Sequence, residues 1–183
     1  MKVICCDCDC ENGGSGGGGA VSSVRLDRYL TAFLRNVAGS NNMNVTGPEE
    51  FMCTAPEEGF YMARMLIAII DPSGVNASEF GGIPALRNGV KFGIKSAVGY
   101  IDLLDGETIK TNGDFASYAG VDVAQLSGER GVGARWTFTK GTGGKLLELM
   151  PGDQVVMTVQ DDLRRLMKFT AAIQGVLGDP PDA

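Results

Sequence analysis

The stretch Val90-Lys91-Phe92-Gly93-Ile94-Lys95 decides the fold class. Its apolar residues fall at every second position, so an extended backbone puts Val90, Phe92 and Ile94 on one face and the lysines on the other. One face can then enter a core while the other meets water, which is the signature of a strand in an antiparallel sheet. Downstream, Val155, Met157 and Val159 alternate with Gln154, Thr158 and Gln160, and Phe169, Ala171 and Ile173 form a last alternating run. Upstream, Phe51–Thr54 and Phe60–Asp71 begin the series.

The punctuation between these runs is that of a β protein. Arg135–Lys140 points Trp136 and Phe138 inward, Gly143-Gly144 offers a hairpin turn into Leu146–Met150, and Pro151-Gly152-Asp153 turns the chain again. Short runs separated by Gly, Pro, Asn and Asp at this spacing predict a sandwich or barrel. Between the last two strands, Asp161-Asp162 can cap a single helical turn that packs Leu163 and Leu166 over the end of the sheets. The connections Pro72–Asn88 and Asn112–Ala134 are long for loops and are the places where a binding surface is expected.

Ahead of position 49 the pattern differs. Ser22–Gly39 predicts a short helix, with Ser23 as cap, Leu26, Leu30, Phe33 and Val37 on one face, and Gly39 at the stop. Its apolar face is expected to pack on the β domain or a neighbouring subunit, after the polar loop Ser40–Pro48. The first nineteen residues carry four of the five cysteines and a glycine run that cannot build a core, so they are expected to form an extended arm. The division that follows is an arm over 1–20, a helix and loop over 21–48, a β-sandwich over 49–177 and a tail over 178–183.

Composition narrows the function. The chain has 183 residues, 44% hydrophobic and 21% charged, the balance of a folded domain. Its longest apolar run, Met65–Ile70, is too short to span a bilayer, and no secretory signal is visible, so no membrane partner is expected. A net charge of -6 argues against direct nucleic-acid binding. Histidine is absent, which removes the commonest general base and metal ligand and leaves carboxylate and lysine chemistry open.

Each candidate site has a plainer reading. Cys5, Cys6, Cys8 and Cys10 are metal-ligand candidates by residue type, but structural zinc sites use two knuckles separated by a loop, and these four lie too close together. Cys53 reads as a small buried hydrophobe. Lys140–Lys145 lacks the spacing of a phosphate loop, and Leu146 stands where Ser or Thr is required. Gly128, Gly131 and Gly133 have neither the spacing nor the setting of a dinucleotide site. Asp161 with Asp162, Glu57 with Glu58, and Asp102 with Asp105 are available for acid chemistry or calcium, yet neighbouring acids in strands point to opposite faces and in turns cap the backbone. Asn44-Val45-Thr46 and Asn76-Ala77-Ser78 match glycosylation acceptors. The reading is therefore of a protein that is not an enzyme and carries no cofactor.

The segment GGIPALRNGVKFGIKSAVGYIDLLDGETIKTNGDFASYAGVDV and the C-terminal RWTFTKGTGGKLLELMPGDQVVMTVQDDLRRLMKFTAAIQGV carry a further signal. Asn88-Gly89 before a strand, Lys110-Thr111-Asn112 before an aromatic loop, and the Gly152-Asp153 turn leading to Asp161-Asp162-Leu163 and Gln174-Gly175 resemble virion β-sandwich proteins of tailed bacteriophages. The resemblance runs from about 49 to 176 and does not include the cysteine-rich arm. It implies a jelly-roll-like sandwich located in the virion, a capsid decoration or cement protein that binds the major capsid protein lattice and forms homo-oligomers. Val3, Ile4, Leu26, Leu30, Phe33, Phe80 and Tyr118 are the expected partner-binding residues. A neck or tail structural role is the neighbouring alternative. A carbohydrate-binding β module using Trp136, Tyr100 or Tyr118 is the alternative from a different class.

Overall fold

The computed structural model of the chain describes residues 2–3, 28–35, 48–71, 76–126, 131–138 and 146–178. Its strands are, in order, β1 (Lys2–Val3), β2 (Arg28–Arg35), β3 (Glu49–Thr54), β4 (Phe60–Ile70), β5 (Glu79–Phe80), β6 (Ile83–Pro84) and β7 (Val90–Ser96). There follow β8 (Gly99–Asp102), a 3-10 turn (Gly113–Ser117), β9 (Val121–Leu126), β10 (Gly131–Thr137), β11 (Leu147–Leu149), β12 (Gln154–Val159) and β13 (Lys168–Leu177). Sheet I has the order β1-β3-β12-β7-β8, and sheet II the order β2-β13-β4-β10-β9 with β11 also on β4. β5 and β6 form a separate small hairpin. Apart from the parallel pair β1–β3, the pairings are antiparallel.

Alternation sets the layers. Phe51, Phe92, Val155 and Met157 of sheet I and Met65, Ile67, Trp136 and Phe169 of sheet II belong to one buried cluster, so the inner faces of the two sheets meet there. The chain is thus mainly β with antiparallel sheets, consistent with a β-sandwich, as the period of two predicts. Each large side chain taken fully out of water contributes about 1.5–3 kcal/mol. Phe60, Phe80, Phe92 and Phe169 are at 0% exposure, as are Met62, Met65, Val155, Met157 and Leu163, so aromatic and aliphatic side chains share that stabilisation.

Within the helix expected over 22–39, the described residues are not helical. Residues 28–35 are β2, which pairs antiparallel with the edge of β13. The register skips one residue between Ala171 and Ala172, leaving Phe33 as the extra residue of a bulge beside Leu34. Both Phe33 (2% exposed) and Leu34 (1%) enter the core, which a regular strand would not allow for neighbours and which the bulge permits by re-aiming one of the two side chains. The ladder to β13 also occupies backbone groups that an edge strand would otherwise leave open. Ser23, Leu26, Val37 and Gly39, the rest of that pattern, lie outside the described residues, as do Ile4, the four N-terminal cysteines and the Gly143-Gly144 turn.

Two shorter expectations are also revised. At 161–166 there is no helical turn: the Leu166 N–H donates to the Leu163 carbonyl at 3.0 Å in a plain turn, and Leu163 (0% exposed) and Leu166 (5%) still plug the core. Asn112–Ala134 is not one long loop, since it contains the 3-10 turn, β9 and the start of β10. The first long connection likewise holds the β5–β6 hairpin.

The outer face of sheet I has its own covered patch. Met52 and Val156 are paired across strands, buried, and separate from the main cluster. Val156 also pairs with Gly93, where a side-chain carbon would collide with the Tyr100 ring. Glycine is needed here for close approach. Lys95 Nζ meets Glu50 Oε2 at 2.5 Å; by register this pair crosses β12 diagonally at the level of Val156.

Candidate binding site

Two turns build one end of the molecule. Asp102, the last residue of β8, accepts the Leu104 N–H at 2.9 Å and the Gly106 N–H at 3.2 Å on its two carboxylate oxygens. The Glu107 N–H donates to the Leu104 carbonyl at 3.1 Å, closing a turn in which Asp105 (φ 54°) and Gly106 (φ 88°) are both left-handed. That conformation is the one Asp-Gly pairs adopt most readily. The chain then returns to β7, where Val90 and Ile109 exchange backbone hydrogen bonds at 2.9 Å in both directions.

The second turn is fixed by Asp114, whose carboxylate accepts the Lys110 N–H at 2.7 Å and the Thr111 N–H at 2.8 Å. Buried Asn112 ties the same region to the β5–β6 hairpin: its side chain accepts the Gly81 N–H at 3.1 Å and donates to the Asn76 carbonyl at 2.9 Å. Between the two turns lies a cleft of about 320 Å³ lined by Glu107, Thr108, Lys110, Asp114, Ser117 and Tyr118. The Tyr118 ring is propped from behind by Trp136 (centroids 5.7 Å apart), which in turn stacks on Phe138 at 5.4 Å. Partial burial raises the Tyr118 phenol above its ordinary range, and Glu107, Asp114 and Asp102 add to the rise.

Beside this cleft runs the open edge of sheet I. Ser96 and Gly99 close the β7–β8 hairpin, and Val98 at its tip is 96% exposed. Tyr100 (49% exposed) and Ile101 (53%) follow along β8 on its two opposite faces, so apolar side chains flank the strand edge on both sides. The Tyr100 phenol is also raised, by burial first and then by Asp102 and Glu50, so Asp102 lies electrically between the two tyrosines.

The residues expected to bind a partner are distributed unevenly. Tyr118 is half-buried at the cleft. Phe33 and Phe80 pack inside the chain's own core, Phe80 edge-on to Phe169 at 5.6 Å. Val3 pairs with Met52, and Leu30 pairs with Gln174. Trp136, a sugar-stacking candidate by type, is a core residue at 8% exposure. Asp102, Asp161 and Asp162 are engaged with backbone N–H groups. Asp161 accepts the N–H groups of Arg87 (3.1 Å), Asn88 (3.0 Å) and Gly89 (2.6 Å), while Asp162 binds the Arg164 backbone and guanidinium, which lowers its carboxyl to about 2. Glu57 and Glu58 sit exposed in a turn. Among the described residues no group of three or more potential metal ligands occurs.

Sequence reasoning missed Val98 and Ile101 at the edge and Glu107, Thr108, Lys110 and Ser117 in the cleft. The available signal was Asp105-Gly106, a left-handed turn pair whose presence brings the flanking polar residues back toward β7. Comparison with protein-family models, with curated proteins and with solved structures returned no match.

Proposed function

We propose that the chain is a structural protein of a tailed-bacteriophage virion, a decoration protein that binds and stabilises the lattice of the major capsid protein, with no catalytic activity of its own. The observation that carries this reading is the exposed apolar side chains of Val98, Tyr100 and Ile101 along β8, whose outer edge is unpaired among the described residues. An open strand edge bearing apolar side chains invites strand addition or docking by another protein, whereas folded chains otherwise blunt such edges with charge or bulges. The two-sheet body behind it shares one buried core, and the acidic residues Asp102, Asp105 and Glu107 follow the strand in sequence, so a partner face with a basic rim suits it. The sequence resemblance over 49–176 supplies the virion setting and the jelly-roll-like arrangement.

The arm over 1–20 belongs to the same reading: extended segments that dock on neighbouring subunits add contacts at high effective concentration. The test is occupancy on purified particles. Val98→Asp with Ile101→Asp, and separately removal of 1–20, are expected to leave the circular-dichroism signature of the sheets intact and to lower the copies retained per particle by tenfold or more. Unchanged occupancy in both variants would overturn the proposal. A copy number far below that of the capsid subunit would move the protein to the neck or tail.

A further inference from the structure

We infer that the cleft beside Tyr118 binds a small neutral saccharide, independently of the protein-binding edge. Its size of about 320 Å³ lies at the low end for small-molecule sites, roughly 300–1,000 Å³, which suits one or two sugar rings. The polar side chains converging on it have unspent hydrogen-bonding capacity. The Glu107 carboxylate, the Lys110 ammonium and the hydroxyls of Thr108, Ser117 and Tyr118 make no hydrogen bond or ion pair with another described residue. Asp114 uses one carboxylate oxygen, Oδ2, on the Lys110 and Thr111 backbone, leaving Oδ1 open.

The chemistry of this lining selects the ligand. Carboxylates accept from ligand hydroxyls, the ammonium donates to them, and hydroxyls do both, so a ring of vicinal hydroxyl groups satisfies the set. Two carboxylates against one lysine disfavour phosphate and other anions. Tyr118 offers an aromatic face for the C–H side of a sugar, and its backing by Trp136 and Phe138 means the ring is already held in place before a ligand arrives. This site differs from sugar stacking on Trp136, whose ring is spent on the core.

The intact ¹⁵N-labelled chain is titrated with glucose, galactose, mannose, N-acetylglucosamine and their disaccharides at millimolar concentrations, following assigned amide shifts. Saturable shifts confined to residues 107–118 are expected with at least one of these probes. Glu107→Gln and Lys110→Met, both on exposed side chains, are each expected to weaken that binding at least about tenfold, the usual cost of losing a charged hydrogen-bond partner. Spectra of the variants away from the cleft report whether the fold is kept. The Val98→Asp/Ile101→Asp variant should bind sugar normally, which separates this site from the protein-binding edge. Silence across the panel, binding that survives both cleft substitutions, or a stronger response to inorganic phosphate would overturn the inference.

Discussion

Asp161 shows how one residue can look chemical in sequence and be structural in space. Its two oxygens gather three consecutive backbone N–H groups from the Arg87-Asn88-Gly89 corner, and Gln160 adds hydrogen bonds from its side-chain amide to the Asn88 and Gly89 carbonyls at 3.3 Å. Gly89 has φ 84°, a conformation that other residues rarely take, so the corner is fixed by backbone geometry and by the carboxylate together. Asp161→Ala is expected to destabilise the fold by about 1–3 kcal/mol, the range for hydrogen bonds to a charged acceptor, and Asp161→Asn by less, since one acceptor oxygen survives. Urea denaturation monitored by fluorescence checks both, and equal stability of the alanine variant and the parent would show that the clamp is idle. Nothing in the neighbouring pair Asp161-Asp162 tells the reader which carboxylate faces a distant turn and which a nearby arginine. That division depends on where β12 ends relative to β7, a long-range fact.

At the level of elements, the period of two was decisive wherever a strand lies within a sheet. β7 and β13 follow their sequence patterns closely because pairing on both sides fixes which face is dry, and β12 does so except at Val156, which the outer patch with Met52 also buries. Legibility fails at the margins. β9 has four consecutive exposed residues, Asp122 to Gln125, since its edge position leaves both faces partly wet and erases the alternation. β2 was disguised by a bulge, which breaks the period of two and leaves spacings that imitate a helix. Its contribution is measurable: Phe33→Ala is expected to cost about 3–5 kcal/mol by loss of a buried aromatic side chain. A loss below about 1 kcal/mol in equilibrium denaturation would place Phe33 outside the core. The cleft was less legible still, since Glu107, Lys110 and Ser117 have no shared periodicity and meet only because two carboxylate-capped turns bend toward each other.

For the molecule as a whole, the pairings join residues far apart in the chain: β13 to β2, β12 to β3, and β10 to β4. Loops that long must close before their contacts stabilise anything, so folding on the scale of milliseconds to seconds is expected. The single tryptophan, Trp136, sits in the core between Phe92 and Tyr118 and is a built-in reporter for stopped-flow refolding. A dominant phase in microseconds would show that local structure, not strand pairing, limits the rate. The central position of β13, flanked by β2 and β4, has one more effect. On a translating ribosome the residues of β13 that pair with β2 emerge about 140 residues after it, so the nascent chain must wait with an unmatched strand until β13 leaves the exit tunnel. Premature termination anywhere before position 168 would therefore yield not a smaller version of this protein but a sticky, unassembled polypeptide.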